Sequence, residues 1–394
     1  MEKERDEQAI DLCRKLIQTP SLSGQEKETA NLLMNFMKVQ GFDSVEFDEY
    51  GNVIGCIHGK RPGIKILFDG HIDTVSVPDE AEWHYPPFGA EIHEGRIYGR
   101  GASDMKGAVA AMASAAAFFA QDTKRDFAGK IYVAGVVHEE CFEGVAARSI
   151  SQRVYPDVVV IGEASGLNVK VGQRGRAEIV LESFGKPCHS ANPEKGINAV
   201  YKIMKAVKAF QDIEVPKHPT LGAGIMELTD IKSSPYPGAS VVPAYCRATY
   251  DRRLLLGETP EMVLEPLQDV LDKLMQEDSE ASYKISYAVG VEKCWTGNTI
   301  TGKRFFPGWL YDQEEPFVQS IVKELRADGF TPEITQYNFC TNGSHYAGEA
   351  NIKTIGLGPS RENLAHTVDE YIEIDQLTKA AHCYEDIMKA LLQP

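Results

Sequence analysis

The sequence has no Cys-x-x-Cys pair, no apolar run of bilayer-spanning length, no Gly-x-Ser-x-Gly motif and no surplus of positive charge. Its eight cysteines (Cys13, Cys56, Cys141, Cys188, Cys246, Cys294, Cys340 and Cys383) are irregularly spaced over a long chain. That argues against a disulfide framework and predicts a reducing, cytoplasmic setting. Without a long apolar run no membrane helix is expected. The charged opening Met1-Glu2-Lys3-Glu4-Arg5-Asp6 lacks the apolar core of a signal peptide. Acidic residues outnumber basic ones, 57 to 41, leaving a net charge of −16. This argues against nucleic acid and anionic membrane as partners, because both attract a basic face. The missing nucleophile elbow speaks against a serine hydrolase. What remains is a soluble protein whose acid excess suits cation binding, although most of that excess is expected to be solvated surface.

What is present is a set of His, Asp and Glu residues, each placed just after a short apolar run. Ile64-Lys65-Ile66-Leu67-Phe68 leads into Asp69-Gly70-His71-Ile72-Asp73. The run 131–137 leads into His138-Glu139-Glu140, and Val158-Val159-Val160-Ile161-Gly162 leads into Glu163. The run 352–357 precedes a segment holding His366 and Asp369. Buried parallel strands read as short Val/Ile-rich runs. In open α/β sheets, ligands gather beyond the carboxyl ends of such strands. Four segments distant in sequence are therefore expected to deliver their polar residues to one crevice.

At 394 residues the chain exceeds the size at which a single core keeps growing, so two domains are expected. Helical spacing over about 7–40, broken at Thr19-Pro20-Ser21, predicts two helices. Strands follow near 44–47, 52–57 and 64–68. The small, apolar run 105–120 predicts a helix packed tightly on the sheet, capped by Ser103 or Asp104. Strands at 131–137 and 157–161 continue the α/β alternation. From about Gln173 the order changes: strand 177–184, helix 196–210, strands near 223–231 and 239–250, a helix opening at Thr259-Pro260, and strand 282–289. This β-α-β-β-α-β order predicts a ferredoxin-like insertion. The expected division is 1–174 and 291–394 for an α/β body with a mixed, mainly parallel sheet, and 175–290 for the inserted α+β domain. A helix at 315–327, a strand at 352–356 and a helix from Asp375 complete the larger part.

His71 and Asp73 share one face of an extended segment. An imidazole is a natural zinc ligand, and Asp73 can accept a hydrogen bond from the other ring nitrogen. A lone histidine is more often structural, and only its place after a strand raises the metal reading. Asp104 lies in Gly99-Arg100-Gly101-Ala102-Ser103-Asp104-Met105-Lys106-Gly107, which lacks both the phosphate-loop ending and the dinucleotide spacing. Asp104 is either a helix cap or a carboxylate bridging two cations. Glu139 and Glu140 point in different directions from an extended backbone, so one can hold a metal while the other addresses its water. Acid pairs are usually surface, but this pair and Glu163 follow apolar strands, where solvated acids are unexpected. His189, in Pro187-Cys188-His189-Ser190 of the insertion, is placed to donate a hydrogen bond over the site, not to ligate. Cys188 and Cys141 give little support to a thiol nucleophile, and His138 and His345 read as structural.

This set resembles a known family of di-zinc hydrolases, which contains aminoacylase, acetylornithine deacetylase, succinyl-diaminopimelate desuccinylase and glutamate carboxypeptidase. The resemblance covers essentially the whole chain, with the insertion in the matching place. It implies that Asp104 bridges two zinc ions, with cobalt or manganese as alternatives. His71 and Glu163 would complete one ion, and Glu140 and His366 the other. Glu139 would be the general base, Asp73 the orienter of His71, and His189 the lid histidine that stabilises the oxyanion, often in a partner's site. Arg253 would hold a substrate carboxylate, with adjacent Arg252 as the alternative. A zinc-bound water has its pKa drawn down to about 7, which suits hydrolysis at neutral pH. The resemblance also implies a homodimer formed through the insertion and a small-molecule substrate: an N-acyl amino acid or small peptide. The rival readings are a dipeptidase or aminopeptidase and a catalytically inactive metal-binding relative.

Overall fold

The computed structural model describes residues 2–393, and the chain divides into two bodies. The first comprises 1–173, 291–301 and 310–394, and the second 174–290 and 302–309.

The first body is built on a mixed sheet. Its order runs Ser44–Phe47, Val53–His58, Ala128–Val136, Arg61–His71, Val158–Ile161, Lys353–Gly356 and Val169–Gln173, and Ile334–Tyr337 also pairs with the last of these. The four strands from Ala128–Val136 to Lys353–Gly356 are mutually parallel. Their inner residues, such as Leu67, Phe68, Val133, Val159 and Ile355, are fully buried, as expected of strands covered on both faces. Parallel pairing places the carboxyl ends of all four at one edge of the sheet.

Helices cover the sheet. The Gly107–Asp122 helix is buried at every residue from Gly107 to Ala120 and packs against Glu2–Ile17 and Ile374–Leu392. Its many alanines permit this close approach. The glycines of the strands beneath contribute too: a Cβ on Gly162 would lie 2.4 Å from Met112 and one on Gly70 would lie 2.8 Å from Val109. The expected cap by Ser103 or Asp104 is not made. The helix begins at Gly107, after an irregular turn over 102–106 in which Asp104 (φ −127°, ψ 93°) and Met105 depart from helical geometry. Asp104 is engaged elsewhere, as described below, and the Ser103 hydroxyl donates to Ser360 at 2.8 Å.

The second body has the ferredoxin-like order. Gly175–Phe184, helix Ala199–Phe210, Ile225–Ser234, Tyr245–Leu254, helix Pro260–Glu277 and Tyr283–Tyr287 follow one another. In the antiparallel sheet the spatial order is Ile225–Ser234, Tyr245–Leu254, Gly175–Phe184, Tyr283–Tyr287. Alternate residues Ala177, Ile179 and Leu181 meet Ile203, Ala206 and Phe210 of one helix and Val263, Leu267 and Leu271 of the other in a shared core. Thr259 caps the second helix by accepting from the Met262 amide. Residues 302–309, placed by the sequence with the larger body, join this one because Phe305–Phe306 pairs with Ala177 and Arg176.

Candidate metal centre

Three of the four parallel strands hand one or two polar side chains to the shared edge. Arg61–His71 ends on His71, Ala128–Val136 is followed by Glu139 and Glu140, and Val158–Ile161 by Glu163. Glu163 is held from behind: its carbonyl accepts from Tyr337 at 2.9 Å, and Gly358 passes so close that a Cβ there would lie 2.4 Å from that carbonyl.

Asp104 sits between two imidazoles. Its Oδ1 is 2.8 Å from His71 Nε2 and its Oδ2 is 3.1 Å from His366 Nε2. On the His71 flank, Glu163 Oε1 lies 3.5 Å from the same ring nitrogen. On the His366 flank, Glu140 Oε2 lies 3.1 Å away. Among the described residues, two overlapping groups can hold a metal ion: His71, Asp104 and Glu140, and His71, Glu139 and Glu163. Within each group the ligand atoms lie within 4.8 Å of one another.

The electrostatics are those of a site built for positive charge. Burial, then the neighbouring Asp104 carboxylate, pushes Glu163 well above the usual carboxylate range. Burial also raises Glu139, assisted by Glu163, Glu140 and Glu143. Glu140 is raised by burial and by Asp104. For His71 burial disfavours the charge, yet the surrounding carboxylates hold its pKa well above that of a free imidazole. Hydrogen bonds to Asp104 and Glu140 push His366 up to about 10. Glu139 Oε1 is buried with no hydrogen-bond partner among the described residues. Buried, mutually repelling carboxylates are costly to ionise without a compensating cation. Imidazole nitrogens and carboxylate oxygens together suit zinc, and also cobalt or manganese. The residues therefore fit a pair of divalent ions.

The backbone around the site is fixed by buried carboxylates. Asp73 takes the Glu139 amide on Oδ1 at 3.1 Å, and the Glu140 amide and Ser23 hydroxyl on Oδ2 at 3.2 and 2.7 Å. His71 Nδ1 is satisfied by the Asp73 carbonyl at 2.9 Å, with the carboxylate farther away at 3.6 Å. Asp69 accepts from Asn342 (2.9 Å) and Tyr346 (2.8 Å), and Asn342 in turn accepts the Gly144 amide. Glu370 accepts the Ser103 and Asp104 amides and the Arg100 guanidinium. None of these last partnerships is visible in the sequence, because each joins a side chain to a backbone amide or a residue far away in the chain.

His138 and His345 lie outside the ligand groups. His138 is buried in a left-handed conformation (φ 56°). His345 joins Ser151 Oγ (2.7 Å) to Glu349 (2.8 Å), a chain that resembles a hydrolytic triad. Ser151 lies within the Ala147–Val154 helix and is buried, so the chain ties that helix to the 344–349 segment and offers no exposed nucleophile. In the second body, His189 is exposed and pairs as an isolated bridge with Val241, its Nδ1 accepting the Ala191 amide. Arg253 is partly exposed, with Nε 2.9 Å from Asp251. Arg252 is buried and committed to Glu258 and to the Arg253 and Ile225 carbonyls.

A family model described as peptidase family M20/M25/M40 matches residues 67–390. The chain belongs to this family. It is accordingly a metal-dependent hydrolase of the M20 family. It is 30% identical over 395 residues to the uncharacterised protein YgeY of Escherichia coli (strain K12), covering 98% of this chain and 96% of that one. It is 27% identical to succinyl-diaminopimelate desuccinylase 2 of Ruegeria sp. (strain TM1040), over 96% of this chain and 94% of that one. Among solved structures, the Bacillus subtilis YXEP protein, described as a dinuclear metal-binding peptidase of the M20 family, superposes with a TM-score of 0.72. The two are 14% identical over 99% of both chains, a likeness of fold alone. No helix among the described residues is long and apolar enough to cross a membrane.

Proposed function

We propose that this M20 hydrolase cleaves the amide bond of an N-acyl amino acid bearing a free carboxylate, using two divalent ions, zinc in the first instance. The observation that carries this reading is Asp104, with one oxygen facing His71 and the other facing His366. His71 and Glu163 would complete one ion and Glu140 and His366 the other, with Asp104 shared. When bound, such a pair supplies Lewis-acid activation of water and of the scissile carbonyl.

The protein supplies the rest. Glu139, raised by burial and holding an unpartnered oxygen, is suited to take the proton of the attacking water and return it to the leaving amine. Asp73 holds the peptide that carries Glu139 and Glu140, which keeps base and ligand in fixed relation. His189 would donate to the developing oxyanion, in its own or a partner's site. Arg253 suits the substrate carboxylate better than Arg252, whose guanidinium is already taken up by Glu258 and two carbonyls.

Similarity to a desuccinylase over nearly the whole chain favours N-acyl substrates, and retention of Glu139 and of every candidate ligand disfavours an inactive relative. The second reading, a dipeptidase or aminopeptidase, draws on the peptidase of like fold. A homodimer through the second body is supported by its edge strand Ile225–Ser234, where Ile225 and Ile231 are exposed. All eight cysteines are free, which suits the cytoplasm.

The test is a panel of acetyl, succinyl and formyl amino acids with dipeptides, run with and without chelator, on wild type and Glu139→Gln. Turnover of an acyl amino acid by the metal-loaded wild type, lost by about 100-fold or more in the variant at unchanged metal content, is expected. Undiminished activity in Glu139→Gln would remove Glu139 as base, and turnover of dipeptides alone would favour the second reading.

A further inference from the structure

We propose that Glu370 is the positioning residue of the shared carboxylate: it grips the peptide carrying Asp104 from the same segment that carries His366. This rests on the two-ion reading above.

Asp104 stands in an irregular turn, so the amides around it are not absorbed by helical hydrogen bonds. Buried amides without acceptors are costly. Glu370 Oε1 takes two of them, Ser103 N at 2.8 Å and Asp104 N at 3.0 Å. Its Oε2 meets Arg100 Nη1 at 2.6 Å, and the guanidinium lies over the Trp83 ring at 5.3 Å. Glu370 is fully buried and Arg100 nearly so. The Glu370 carbonyl accepts from Gly99, and the next strand, Tyr371–Glu373, pairs with Arg96–Tyr98. Both ends of the segment 96–104 are thus bonded to the segment 370–373.

The arrangement has a consequence for the metal centre. His366 lies four residues before Glu370, and the backbone is left-handed at His366 (φ 62°) and at Asp369 (φ 53°). Asp369 itself turns to His84, receiving its amide and facing its ring nitrogen at 2.6 Å. One short segment therefore sets the His366 ligand directly and the Asp104 carboxylate through its backbone. A simple stabilising ion pair would not need the two amide contacts. Carboxylates that orient ligands in this indirect way typically change metal affinity or activity by about 10- to 100-fold when lost.

The experiment titrates Zn2+ and Co2+ into apo wild type, Glu370→Gln and Glu370→Asp against a competing chelator, and follows the Co2+ absorption spectrum and steady-state kinetics. Gln keeps an acceptor but sets an amide NH2 against Arg100; Asp keeps the charge but withdraws the acceptor by one methylene. Both variants are expected to bind both ions about 10- to 100-fold more weakly, with altered Co2+ spectra and with kcat reduced far more than KM. A folded variant that matches wild type in affinity and spectrum overturns the proposal, even if its melting temperature falls. Loss of affinity for one ion alone also overturns it, since Asp104 faces both imidazoles. If the Gln protein does not fold, the Asp protein decides. Wild type that takes up no divalent ion sinks the functional reading instead, which separates the two failures.

Discussion

The Asp73 carboxylate receives three donors, the amides of Glu139 and Glu140 and the hydroxyl of Ser23. The sequence pointed to Asp73 as the orienter of His71, reasoning from their shared face. That imidazole instead finds the Asp73 carbonyl, and the carboxylate is spent on a neighbouring strand end. Asp73→Ala is expected to lower kcat/KM by about 10- to 100-fold, and Asp73→Asn by less, because Asn keeps one acceptor oxygen. Equal activity in wild type and the alanine variant would show that the clamp has no catalytic consequence. The ligand-type residues were readable because acids after apolar strands contradict ordinary burial preferences. Asn342 and Glu370 carry no such anomaly in sequence, since what marks them is a partner elsewhere in the chain, and Asp69, although it follows an apolar run, gives no sign there of its bonds to Asn342 and Tyr346.

Among elements, the Gly107–Asp122 helix and the Ser151–His345–Glu349 chain give separate predictions. Ala113 is fully buried on a helix rich in small residues, so Ala113→Leu should destabilise by about 1–3 kcal/mol in urea denaturation. For Glu349, burial opposes ionisation, but hydrogen bonds from His345 and Arg148 pull the carboxyl down to about 2 from 4.5. The folded value lies below the unfolded one, so the stabilisation is whole above pH 4.5 and is lost as pH falls through about 2. Glu349→Gln should therefore cost about 1 kcal/mol at pH 7, the Arg148 link being partly exposed. That cost should shrink towards nothing in the acid range, as read by denaturation at several pH values. A constant difference across pH would contradict the assignment. Most strands were readable from apolar runs. The strands Val169–Gln173 and Ile334–Tyr337, and the return of residues 302–309 to the second body, were not. Short strands beside a polar partner show no period strong enough to stand out.

At the scale of the whole molecule, the fold class was the most legible property. Alternating apolar runs and helices fix a parallel core, and the β-α-β-β-α-β order fixes the insertion. The acidic centre adds a stability prediction. Chelation should lower the melting temperature, and restoring divalent metal should raise it in proportion to the logarithm of free metal, about 2.7 kcal/mol per site at 100 times Kd. A melting temperature indifferent to EDTA would deny that the cluster holds ions in the folded state.

The Lys353–Gly356 strand sits within the sheet, parallel to Val158–Ile161, almost two hundred residues earlier in the chain. During translation, the slot beside Val158–Ile161 cannot be filled before residues 353–356 have been made. Until then Val159 and Val160 present an apolar edge, and Asp104 lacks its second imidazole. One pairing therefore both covers an exposed strand edge and belongs to the part of the chain that brings His366 to Asp104.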